Sequence, residues 1–85
     1  MHVVASPLDL PPIVQRRLRL DAPECLAWAE GVMALLAARM PPEQALWWWV
    51  RNHIALRRSP AYFLPEGWHP DDALARFLEG YARQG

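Results

Sequence analysis

Neither lysine nor threonine occurs in this chain, cysteine occurs once, and no sign of charge prevails, with nine arginines facing nine acids. Each shortage excludes something. The single Cys25 cannot close an intramolecular disulfide or build a cysteine metal cluster, which fits a reducing compartment. A net charge of zero excludes the uniformly basic surface that nucleic-acid binding usually demands. No run of about 18 apolar residues is available to span a membrane, and the opening MHVVASPLDLPP lacks the basic and apolar regions of a secretory signal. A cytoplasmic protein without membrane contact is therefore expected. The glycines form no phosphate-cradling loop, and the two serines, Ser6 and Ser59, each precede proline and read as helix caps.

The groups that could do chemistry each have a plainer role. His2, His53 and His69 share no metal-type spacing, and no acid falls beside His53 on its helix face. His53 reads as a satisfied core or boundary histidine, and His69 as a helix N-cap or boundary residue. Cys25 sits one turn inside a helix N-terminus, where the dipole lowers a thiol pKa, but it shares a stripe with Trp28 and Val32 and reads as a structural thiol. Asp71 and Asp72 complement a helix dipole. The expectation is a protein that is not an enzyme, with no catalytic residue, no cofactor and no metal.

What the chain has in quantity is apolar surface: it is 53% hydrophobic, with five tryptophans in 85 residues. A domain of this size buries only about 60 to 65% of the surface its unfolded chain exposes. Some of the apolar load is then available to a partner, either another protein or a second copy. Residues 1–85 read as one helical domain, with 1–8 as a flexible arm. That the basic residues are all arginine fits the composition of a GC-rich bacterial genome.

The expected fold class is all-α, a bundle of four main helices at about 10–19, 22–39, 42–57 and 70–83 with a short helical turn near 60–64. Ser6 or Asp9 caps the first helix, which uses Pro11 and Pro12 in its first turn and ends in Arg16, Arg17 and Arg19. Asp21 and Glu24 have the spacing of a capping box for the second. One side of that helix, Cys25, Trp28, Val32, Leu35 and Leu36, suits a core; the other, Ala27, Gly31, Ala34 and Ala38, is small enough for another helix to approach closely. It is read as central in the fold or as a dimer face. Tyr62 to Trp68 makes an apolar connection that folds over the core, and Leu74, Phe77, Leu78 and Tyr81 form the stripe of the last helix, with Asp72–Arg76 and Glu79–Arg83 as ion pairs.

The third helix carries Trp47, Trp48 and Trp49, and adjacent helical residues point about 100° apart, so the three cannot share one core. With Ala45, Leu46, Trp49, Val50, His53, Ile54 and Leu56 inward, Trp47 lies at the boundary and Trp48 faces out among Gln44, Arg51 and Asn52, with Arg58 nearby. Gln44, Trp47, Trp48, Arg51, Asn52 and Arg58 are thus the candidate partner-binding residues, because Trp and Arg are enriched at interaction hot spots. The stretch Met40-Pro41-Pro42-Glu43-Gln44-Ala45-Leu46-Trp47-Trp48 resembles the L-P-x-x-x-A-V-W-W segment of an uncharacterised family of bacterial helical proteins, departing from it at Met40 and Leu46. The resemblance implies a helical fold with the tryptophans as fold determinants. The reading is a small non-enzymatic protein–protein interaction or adaptor module, self-associating or joined to another protein. The alternative is a small nucleic-acid-associated or regulatory helical protein using its arginines, Arg16, Arg17, Arg19, Arg51, Arg57 and Arg58, and an exposed Trp.

Overall fold

Proline decides where the helices start. The computed structural model describes residues 10–84, which form five helices, α1 Pro12–Arg17, α2 Pro23–Ala37, α3 Pro42–Val50, α4 Pro60–Phe63 and α5 Ala73–Gln84. The first four all begin on a proline. Proline forces the residue before it out of the α region, and its missing N–H costs nothing in a first turn. Pro11, Ala22, Pro41 and Ser59 are accordingly extended, with ψ of 147°, 125°, 157° and 150°, and each is the N-cap. No side chain caps any of these four. The Asp21–Glu24 capping box is therefore not formed: Pro23 makes Ala22 the cap and leaves Asp21 one residue too early. The expected arm, Ser6 and Asp9 lie outside the described residues.

The ends depend on contacts between elements. α1 stops after Arg17 in a Schellman arrangement, where Arg19 N–H bonds the Arg16 carbonyl (3.1 Å) and Leu20 N–H the Gln15 carbonyl (3.0 Å). Arg19 takes the left-handed position, φ 56°, usually given to glycine. α3 ends at Val50, seven residues short of the expected 57. Continuing the helix would pair the Asn52 N–H with the Trp48 carbonyl. The His53 side chain takes that carbonyl instead (3.0 Å), and the chain leaves the helix through Arg51 in an extended conformation, ψ 153°. A tight turn follows, with Arg57 N–H on the His53 carbonyl (2.8 Å) and His53 N–H on the Arg58 carbonyl (3.2 Å). Ile54, expected inside, is 97% exposed at this turn.

Arg57 closes the turn at φ 62° with an exposed side chain. A left-handed conformation costs a non-glycine residue roughly 1–2 kcal/mol, against roughly 0.5–1 kcal/mol of extra unfolded-state entropy for glycine. Arg57→Gly is expected to stabilise the fold by about 0.5 kcal/mol, read as a higher urea midpoint at unchanged slope.

The last helix begins at Ala73, not at residue 70. Before it, the Asp72 carboxylate accepts the His69 N–H (2.9 Å) and the His69 Nδ1 accepts the Asp71 N–H (3.2 Å). Asp72 so engaged does not pair with Arg76, while Arg83 and Glu79 do meet at 3.2 Å. The buried positions of α5 are Ala75, Leu78 and Ala82, so the helix is rotated from the expected stripe and leaves Leu74 and Phe77 exposed. An alanine ridge lets α5 lie close to α2, with Tyr81 at the edge. The guanidinium of Arg39 seals the end of α5 by donating to the carbonyls of Arg83 (2.6 Å) and Ala82.

The core is threaded by aromatic rings. Trp68 meets Trp28 at 4.9 Å, Trp28 meets Trp49 at 6.0 Å, Trp49 meets Trp48 at 5.1 Å, and all three pairs are edge-to-face. Trp48 continues the series to His53 (5.4 Å) and Tyr81 (6.1 Å). This run ties α2, α3, the 64–68 connection and α5 together, with Val32, Leu36 and Leu64 packed in the same core. The Trp49 indole N–H donates to the Met33 sulfur at 3.0 Å. The apolar connection does fold inward as expected, with Leu64 and Trp68 buried.

Candidate functional site

The outward face of α3 is built by helical spacing. Gln44, Trp47 and Arg51 recur at i, i+3 and i+7, which places them on one stripe, and all three are exposed. Trp47 is 64% exposed, against 2% for Trp48 and 0% for Trp49. The expected order of the three is thus corrected: Trp49 is core as expected, but Trp48 is core too, and Trp47 is the outward tryptophan. Trp48 is held inside because α5 brings Tyr81, and the early turn brings His53, onto its ring.

Asn52, Arg57 and Arg58 are exposed around the turn that carries Ile54. An unbroken helix to residue 57 would have turned Ile54 into the core; the turn carries it outward. Asn52, a poor residue for a helix interior, is the one signal in the sequence for an earlier end. Among the described residues no carboxylate pairs with Arg51, Arg57 or Arg58, so the turn offers apolar surface flanked by uncompensated positive charge.

His53 behind this surface is 5% exposed and fully engaged. A carbonyl only accepts, so Nε2–H donates to Trp48 and Nδ1 accepts the Tyr81 hydroxyl at 2.8 Å. Burial holds its pKa below the ordinary 6.5; the bond to the Trp48 carbonyl opposes that, and the charge of Arg51 adds to it. Cys25 is 1% exposed, and burial pushes its thiol pKa up against the pull of Arg19, with Glu24 and Asp21 adding to the rise. A buried neutral thiol is the opposite of an activated nucleophile. Among the described residues no group of three or more His, Cys, Asp and Glu side chains could hold a metal ion.

The small face of α2 is open. Ala27, Gly31, Ala34 and Ala38 are all exposed, and a Cβ added at Gly31 would meet nothing within 4 Å. The helix packs on α3 and α5 through its other side, Cys25, Ala29, Val32 and Leu36, which leaves this face outside the core. It borders a groove of about 290 Å³ between α2 and α5, floored by Trp28 and edged by the Glu79–Arg83 pair.

No family model, curated protein or solved structure matches this chain. Among the described residues no helix is long and apolar enough to cross a membrane.

Proposed function

We propose that this chain is a protein–protein interaction module whose contact surface is the outward stripe of α3 and the turn after it: Gln44, Trp47, Arg51, Asn52, Ile54 and Arg58. The observation that carries this reading is the exposure of Trp47, 64%, on a helix whose other two tryptophans are sealed in the core. An exposed indole followed by exposed arginines on the same stripe and turn has the composition of an interface hot spot. Ile54 adds a second apolar side chain within seven residues, at 97% exposure. The partner is a second copy or another protein with an apolar anchor site.

The test uses the double variant Trp47→Ser, Ile54→Ser, in which both side chains are already exposed, so thermal stability should hold. Wild type is expected either to associate with rising concentration in sedimentation velocity or to retain a partner that rebinds as purified protein. The double variant should lose that association. A wild type that stays monomeric and has no such partner, or a double variant that binds equally well, ends the proposal.

A further inference from the structure

On another face of the molecule, the end of α1 and the α4 region enclose an open groove of about 500 Å³, within the size range of ligand sites. Its lining includes Arg16, Arg17, Arg19, Ile13, Tyr62 and Glu66, which is three positive charges against one negative. Two of the guanidinium groups are fixed in place by the fold. Arg17 donates to the Leu64 carbonyl at 3.1 Å and lies over the Tyr62 ring at 5.2 Å, and Arg19 donates to the Trp68 carbonyl at 2.7 Å. Backbone carbonyls hold these groups without neutralising them, and among the described residues no carboxylate pairs with Arg16, Arg17 or Arg19. Arg16 is exposed beside them, with no anchor of its own.

We infer that this groove binds an acidic peptide segment of a partner protein, its carboxylates on the three arginines and an aliphatic side chain against Ile13 and Tyr62. Ile13 is 57% and Tyr62 44% exposed, so the groove has an apolar wall as well as charge. Fixed guanidinium groups bind a carboxylate with little ordering cost, and Arg presents the planar fork that a carboxylate matches. Single-stranded nucleic acid fits less well. It needs aromatic faces free for successive bases to stack on, and Arg17 already occupies one face of Tyr62, the aromatic ring that lines the groove, whereas an aliphatic side chain needs only the exposed part of that ring.

The test titrates the full chain into fluorescein-labelled peptide EELEE at low ionic strength, followed by fluorescence anisotropy, with labelled QQLQQ and labelled oligothymidylate as comparisons. Saturable binding of EELEE alone is expected, weakened by added salt. Arg16→Glu reverses the unanchored charge and should weaken binding about tenfold, while Glu66→Gln should tighten it about twofold, both with unchanged melting temperature. The Trp47→Ser, Ile54→Ser variant should bind EELEE as wild type does, which separates this groove from the α3 surface. Absence of saturable EELEE binding, equal affinity for QQLQQ, tighter binding of oligothymidylate, or an Arg16→Glu effect below fivefold overturns the inference.

Discussion

Trp48→Ala is expected to lower stability by about 3–5 kcal/mol, a melting-temperature drop on the order of 20 °C in a domain of this size. Trp48 is 2% exposed and touches three other rings, Trp49, His53 and Tyr81, that come from α3, the turn after it and α5. Its removal therefore opens a cavity where three segments meet and deletes edge-to-face contacts worth about 0.5–1.5 kcal/mol each beyond burial. Small domains are stable by only about 5–15 kcal/mol, so the loss consumes much of the margin. Trp47→Ala, one residue earlier, should change stability by no more than about 0.5 kcal/mol, as exposed positions do. Thermal melts of the two variants side by side decide the matter: a Trp47 variant that melts lower than the Trp48 variant contradicts the assignment.

His53→Leu is expected to cost about 2–5 kcal/mol, because it strands two polar groups at once, the Trp48 carbonyl and the Tyr81 hydroxyl. The same residue makes stability depend on pH. Its folded pKa lies below the ordinary 6.5, so the unfolded chain takes up the proton more readily than the folded one. The His53 contribution is full above the unfolded value and declines as pH falls through about 6.5 toward the lowered folded pKa. Urea midpoints measured near pH 7.5 and near pH 5 should show this decline in wild type, and His53→Leu should lack the component. A wild-type midpoint that rises on acidification through this range, or a decline undiminished in the variant, refutes the role given to His53.

The start of α3 and its end have different physical origins. That α3 begins at Pro42 is local chemistry, legible in Met40-Pro41-Pro42. That it ends at Val50 is not, because the competing donor to the Trp48 carbonyl is the His53 side chain, and what holds the imidazole in place includes Tyr81, 28 residues away on α5. The inversion of Trp47 and Trp48 has the same origin. Periodicity puts the three tryptophans on different bearings, but the bearing that is covered depends on where α5 lies. The rotation of α5 is comparable: Leu74 and Phe77 are larger than Ala75 and Ala82, so a hydrophobicity stripe favours the wrong face, whereas close packing against α2 favours the alanines. Nothing local marks Arg17, Arg19 and Arg39 as anchors, yet each donates to a backbone carbonyl of a distant segment.

By itself the sequence determined the all-helical class, four helix starts, the inward turn of Leu64 and Trp68, the core place of Trp49 and the burial of Cys25 and His53. Proline geometry and helical periodicity act within a few residues and need no partner. Only the tertiary structure decided where α3 stops, that Trp48 is sealed while Trp47 and Ile54 are left in water, and that Arg16, Arg17 and Arg19 line one groove. Those outcomes depend on which segments compete for the same carbonyl and the same ring face, a competition between residues far apart in the chain.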